Sequence, residues 1–190
     1  MFDVDLEKLS ADQRAMLDLW EKHLQAEFRD KDARASCDTM VETPYVNHVP
    51  VLTGGLGRRQ LENFYGKYFI PSMPADVELA PISRTIGYNR IVDEFVFCFT
   101  HTTRLDWLLP GVPPTGRRLR IPMVVVVAFE QGKICSEHIH WDQATALVQL
   151  GLLDPAGLPV AGAETAEKLL DPSSRPSNQM MKRAIDDPLL

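Results

Sequence analysis

Met16, Leu17, Trp20, Leu24 and Phe28 recur at three- and four-residue spacing, with charged residues between them. That single apolar stripe predicts an amphipathic helix over residues 11–29. Ser10 followed by Gln13 carries the capping-box signature for its start. A second helix is expected over 31–41, ending before "ETPYVNHVP", whose prolines and β-formers suggest a short extended segment. "LTGGLG" reads as a loop, and Leu61, Phe64, Tyr65, Tyr68 and Phe69 suit a third helix over 58–69.

After Pro74 the period changes to that of strands, expected at 77–88, 91–107 and 119–130. Gln131-Gly132 makes a tight turn into "KICSEHIHWD", so 119–142 reads as a hairpin, followed by a helix from Gln143 to Leu153. Beyond Asp154 the Pro, Gly, Ser and Ala content suggests an extension with short helices near 163–170 and 178–185. Helices first, then antiparallel strands, then a terminal helix give an α+β roll. A domain over 1–154 and a C-terminal extension over 155–190 are expected, with a curved sheet around the leading helices. The concave interior of such a roll suits a small hydrophobic molecule.

Composition narrows the partners. At 190 residues and 45 % hydrophobic content the chain can bury a core of ordinary size. A net charge of −6 argues against nucleic acid and against an anionic membrane surface. The basic cluster Arg117, Arg118 and Arg120 reads as an exposed loop. No signal-peptide pattern opens the chain, and its longest apolar run, "MVVVVAF", has strand length, so no membrane span is expected. Cys37, Cys98 and Cys135 are odd in number and far apart, which fits reduced thiols in a cytoplasmic protein.

The candidate chemistry gathers near the end of the hairpin. On a strand His138, His140 and Asp142 share one face, and Glu137, Ile139 and Trp141 the other. Strand parity leaves open which set faces the interior. His101 continues the parity of Phe95, Phe97 and Phe99, and Tyr45, Asn47 and His48 follow the second helix. The cysteines and serines form no nucleophile elbow, and neither H-E-x-x-H nor a phosphate loop occurs. The Gly-Gly-x-Gly of "LTGGLG" lacks the βαβ surroundings of a dinucleotide site. His138-x-His140, with His48 or His101 and Asp142 or Glu137, leaves a metal site as a third option.

"GKICSEHIHWDQATALVQLGLL" resembles the C-terminal strand-to-helix segment of SnoaL-like proteins in the nuclear transport factor two superfamily. "YVNHVP", "TGG" and "LENFYGKYF" are similar to its first half, and the resemblance spans about residues 12–153. It implies a cone-shaped fold that hosts cyclases, isomerases, dehydratases and plain binding modules. It further implies a cofactor-independent acid/base enzyme acting on a hydrophobic carbonyl compound. Asp142 would face the cavity as the base, with His140 or His101 as partner and His48 orienting substrate. His138, Trp20, Tyr45, Phe64, Phe97 and Trp107 would line the pocket, and a homodimer is expected. The alternative within the same fold is a non-catalytic ligand-binding or dimerisation module.

Overall fold

The structure, a computed structural model, describes residues 2–181. The first helix, α1 (Ala11–Leu24), begins at the capping box: Ser10 Oγ accepts from the Gln13 amide at 3.2 Å, and Gln13 Oε1 accepts from the Ser10 amide at 3.0 Å. It widens into a π-helical segment, Gln25–Asp30, that ends where Lys31 turns left-handed (φ 54°). α2 (Ala33–Asp38) is capped by Asp32, whose carboxylate accepts from the Arg34 and Ala35 amides. It is shorter than its expected range because the chain goes extended at Met40 to begin β1 (Met40–His48).

The "TGGL" loop is in fact an edge strand, β2 (Thr53–Leu56), antiparallel to β1. Its residues lack β-propensity, so pairing with β1 rather than local preference makes it a strand. A Cβ on Gly54 would lie 2.1 Å from the Val46 carbonyl oxygen, and φ there is +130°. Only glycine lets the two backbones approach so closely. α3 (Arg58–Phe64) then continues into a second π-helical segment, Tyr65–Phe69.

Four long strands follow: β3 (Glu78–Ile86), β4 (Arg90–Thr100), β5 (Arg118–Glu130) and β6 (Lys133–Trp141). β4 stops seven residues before the expected end, and residues 101–117 form a connection. Gln131 (φ 51°) and Gly132 (φ 72°) make the two-residue turn of the β5–β6 hairpin, the backbone twist that such hairpins favour. α4 (Gln143–Leu150) ends at Gly151 in the left-handed region. α5 (Glu164–Leu170) forms in the extension. The second half of the helix expected over 178–185 lies outside the described residues, and 178–181 are not helical.

The sheet order is β2-β1-β6-β5-β4-β3. The expected all-antiparallel sheet is corrected at one place, since β1 runs parallel to β6. These strands are not joined by a hairpin; the helices and the β3–β5 meander separate them, so their relative direction was free. Register shifts lie in β1, between Pro81 and Ser83 on the β3–β4 ladder, and between Ala128 and Phe129 on the β5–β6 ladder. Such bulges bend strands and sharpen their twist, which curls an open sheet.

The inner face carries Val46, His48, Phe97, Phe99, Ile121, Met123, Val125, Ile134 and Ile139, and α1 and α3 pack their stripes against it through Met16, Trp20, Leu61 and Phe64. On the outer face, Ala166 of α5 packs on Val96 and Cys98, with Leu169 beside them. Among the described residues no helix is long and apolar enough to cross a membrane.

Candidate active site

Between the leading helices and the inner face lies a cavity of about 80 Å³. Its wall is aromatic and aliphatic, with Trp20, Phe28, Phe69, Phe97, Trp107 and Met123 prominent. The carboxylates Glu27, Asp93 and Glu137 and the imidazole of His48 also reach it.

β6 decides which parity faces inward. Glu137, Ile139 and Trp141 are buried, while His138 is half-buried on the other face and His140 is exposed. The apolar pair Ile139 and Trp141 gains more from the interior than two imidazoles would, and Glu137 goes in with them. Asp142 does not enter the cavity. It is exposed and caps α4, with Oδ1 accepting from the Ala144 amide at 2.9 Å and Oδ2 from the Thr145 hydroxyl at 2.8 Å. An Asp one residue before a helix serves the free amides of its first turn, which is where its oxygens are spent here. The inward carboxylate of this strand is therefore Glu137.

The other sequence candidates divide. Trp20, His48, Phe97 and Trp107 line the cavity, and Phe64 packs behind, its ring 5.5 Å from that of His48. Tyr45 lies on the outer face, its ring 5.6 Å from that of His138, so neither wall residue is in the cavity. His101 follows the end of β4 and is buried in the connection, where Nδ1 lies 3.2 Å from the Thr115 hydroxyl. The phenylalanine parity did not carry it into the site because the strand ends one residue earlier.

Behind Glu137 is a buried network absent from the sequence-derived site. His23 Nδ1 lies 2.7 Å from the Thr39 hydroxyl and 3.2 Å from the Ser36 carbonyl. Thr39 donates its own hydrogen to that carbonyl at 2.6 Å, so Nδ1 faces only acceptors and carries a proton. Nε2 lies 3.0 Å from Glu27 Oε1 and 3.3 Å from Glu137 Oε1. Tyr65 donates to Glu137 Oε1 at 3.3 Å, and Trp20 stacks on His23 with ring centroids 5.4 Å apart.

Burial opposes charge on His23, but the carboxylates of Glu137 and Glu27 outweigh it and raise its pKa to about 9. An imidazolium between two carboxylates leaves one negative charge in excess in a dry place. Burial, partly offset by His23 and reinforced by Glu27, raises Glu137 to about 7. A carboxyl in that range both takes and returns a proton at neutral pH. Burial and the same carboxylates hold the Tyr65 phenol well above its ordinary range, so it stays a donor.

The π-helical segments position this network. One carries Glu27 and the other opens with Tyr65, each widening the turn where a polar group must reach inward. A trace of the network was legible in the chain, because His23 and Glu27 stand four apart beside the apolar stripe of the first expected helix, 11–29. Among the described residues, His23, Glu27 and Glu137 are also the one group of three with the spacing of metal ligands, their donor atoms lying within 4.8 Å of one another. His138 and His140 are not part of it. Its atoms already share hydrogen bonds around Nε2, the arrangement of a proton-sharing cluster.

Asp93 is a carboxylate of another kind. Arg84 grips both its oxygens at 2.6 Å, and Trp20 Nε1 donates to it at 2.8 Å. Arg84 also pairs with Glu21 and lies under the Phe2 ring, 4.3 Å from its centroid. With both oxygens engaged, Asp93 fixes the wall and tethers α1 to β3 and β4; it is no base.

His48 is the remaining ionisable wall group. Its Nδ1 lies 3.4 Å from the Thr53 carbonyl, which can only accept, so Nδ1 bears the hydrogen and Nε2 the lone pair. Phe64, Phe69, Trp107 and Trp141 surround the ring, and burial pushes its pKa down to about 4. It is a neutral acceptor at any ordinary pH.

This helices-plus-curved-sheet architecture is that of NTF2-like and SnoaL-like proteins, and the chain has that fold. A protein of Jannaschia sp. CCS1, named as SnoaL-like polyketide cyclase, matches with TM-score 0.56 and 16 % identity over 80 % of this chain and 100 % of its own. TsrD from Streptomyces laurentii matches with TM-score 0.56 and 18 % identity, over 77 % and 100 %. An NTF2-like protein of unknown function from Burkholderia pseudomallei matches with TM-score 0.55 and 18 % identity, over 72 % and 97 %. No family model matches the sequence, and no curated protein matches it either.

Proposed function

We propose that this chain is an acid/base enzyme for a small hydrophobic carbonyl compound, of cyclase, isomerase or dehydratase type, with Glu137 as the base. The single observation behind this reading is a cavity-lining carboxyl, tuned toward neutrality by burial, backed by His23 and Glu27 and hydrogen-bonded by Tyr65. Glu137 takes a proton from the carbon next to the carbonyl and returns it at the next step. His23 is a positioning residue: it touches no substrate, and its positive charge limits how far Glu137 rises. Apolar walls exclude water and orient the ring or chain of the substrate. The resemblance to SnoaL-like cyclases supports the class, with the base moved from the cap of α4 to β6.

Exchange of α-protons for deuterium in small ketones such as acetone, followed by NMR, tests this without knowledge of the product. Glu137→Gln lowers the exchange rate by at least about 100-fold, the scale of general base catalysis, while leaving ketone binding intact. Undiminished exchange in Glu137→Gln overturns the assignment. Binding without exchange in the unaltered protein instead favours a ligand-binding module. The reading includes residues 1–154 as the catalytic unit, 155–190 as an extension, a cytoplasmic location and a homodimer; light scattering that gives the mass of a single 21.4 kDa chain at micromolar concentration contradicts the dimer.

A further inference from the structure

Near the acid/base network, the cavity wall holds two unused hydrogen-bonding groups side by side. Trp107 is 3 % exposed and lines the cavity, and its Nε1–H has no hydrogen-bond partner among the described residues. A buried donor left unpaired destabilises the fold, so its retention calls for an occupant that accepts from it. His48, with its ring 5.1 Å from that of Trp107, presents the reverse: Nδ1 is held by the Thr53 carbonyl, which leaves the Nε2 lone pair. Thr53 fixes both groups, because its hydroxyl donates to the Trp107 carbonyl at 2.6 Å. One residue of the edge strand thus sets a donor and an acceptor next to each other in an aromatic wall.

A carbonyl oxygen satisfies the donor alone, and an ammonium the acceptor alone. A hydroxyl satisfies both with one oxygen. We propose that His48 and Trp107 form a hydroxyl-binding subsite, and that the substrate is a compact hydroxylated carbonyl compound. Its hydroxyl accepts from Trp107 Nε1 and donates to His48 Nε2. The inference rests on the proposed use of this cavity and adds a second anchor to it. On the paired strands β1 and β6, Val46 lies beside Glu137 and His48 beside Ile139, so His48 and Glu137 are two residues apart along the sheet. Two residues along and one strand across make roughly 8 Å between their backbones, which a short hydroxy ketone and the two side chains span. Size is bounded too: a cavity of roughly 150 Å³ holds benzene, whereas this one is about 80 Å³. The occupant is smaller than benzene, of the size of a three-carbon hydroxy ketone, unless a wall such as Phe2 moves.

The chain has three tryptophans, and the indole N–H groups of the other two are engaged, Trp20 by Asp93 and Trp141 by Gln143. The Trp107 indole resonance in a proton–nitrogen NMR spectrum therefore reports on the subsite, and Trp107→Phe assigns it. 2-Propanol moves this resonance downfield and leaves the other two in place, whereas propane does not move it. Acetone moves it but binds roughly tenfold more weakly, since His48 Nε2 is then left unpaired. In His48→Phe the alcohol loses that advantage over the ketone. A Trp107 resonance unmoved by 2-propanol, or moved equally by propane, overturns the proposal, as does an alcohol advantage that survives in His48→Phe. Each result is independent of deuterium exchange at Glu137, so failure of the subsite is distinguishable from failure of the base.

Discussion

His23 is the residue on which the polar side of the cavity turns. Its raised pKa means the folded state holds a proton that the unfolded chain releases near 6.5. The stabilisation is complete below about 6.5 and disappears as pH rises through about 9. Glu137, also raised, contributes in the same sense over about 4.5 to 7, and depressed His48 in the opposite sense, losing stability as pH falls from about 6.5 to 4. The last two offset each other over much of the acid range. Above pH 7 the loss on His23 stands alone. The melting temperature is expected to fall between pH 7 and 9, and His23→Gln is expected to flatten that fall; an unchanged slope in the variant argues against the imidazolium.

His23→Gln has a kinetic consequence as well. With the cation gone Glu137 rises further, so the acid limb of the rate profile moves to higher pH and turnover at pH 7 drops. The groups that face Glu137 are His23 and Glu27 from the first helical stretch and Tyr65 from the third. His48 and the Arg84-gripped Asp93 share the cavity. A simple loss of packing lowers the rate without moving the limb, and pH–rate curves of the two proteins separate these outcomes.

At the scale of elements, the junction of β6 and α4 separates two assignments for the base. Asp142→Ala removes a helix cap and is expected to cost about 1 kcal/mol of stability. Exchange activity is expected to persist, and its abolition in Asp142→Asn would return the base to the position implied by the SnoaL resemblance. The β2 edge gives a second element-level expectation. Gly54→Ala forces a Cβ into the Val46 carbonyl at a backbone angle that L-residues avoid. A loss of roughly 1–3 kcal/mol in chemical denaturation is expected. Thr53 moves with that strand, so Trp107 and His48 lose their common anchor.

Across the whole molecule, the helix periods, the strand periods and their order were readable, because amphipathic spacing is a local property of the chain. α1 begins at its capping box, and the β5–β6 hairpin turns at Gln131-Gly132, where both residues take positive φ. The β2 strand was not readable, since "TGGL" has no strand preference and is held by its neighbour. Nor was the parallel pairing of β1 with β6, which joins segments more than eighty residues apart. The outer face of the sheet is partly covered by α5, where Ala166 seats on Val96 and Cys98. Removal of 155–190 uncovers that apolar patch, and a lower melting temperature is the expected result.

The sequence by itself determined that helices lead, that a sheet follows, and that ionisable residues stand at the end of the last strand. It could not determine which of them looks inward. Alternation along β6 puts Glu137 opposite His138 and His140, but the side that is buried depends on which pair, Ile139 with Trp141 or the two histidines, meets the helices across the sheet. That preference is a free-energy difference between two packings of the whole roll. Likewise His23 with Glu27, Tyr65 and Glu137 come from three places in the chain, and their proton sharing exists only once burial has removed the water that would otherwise separate them.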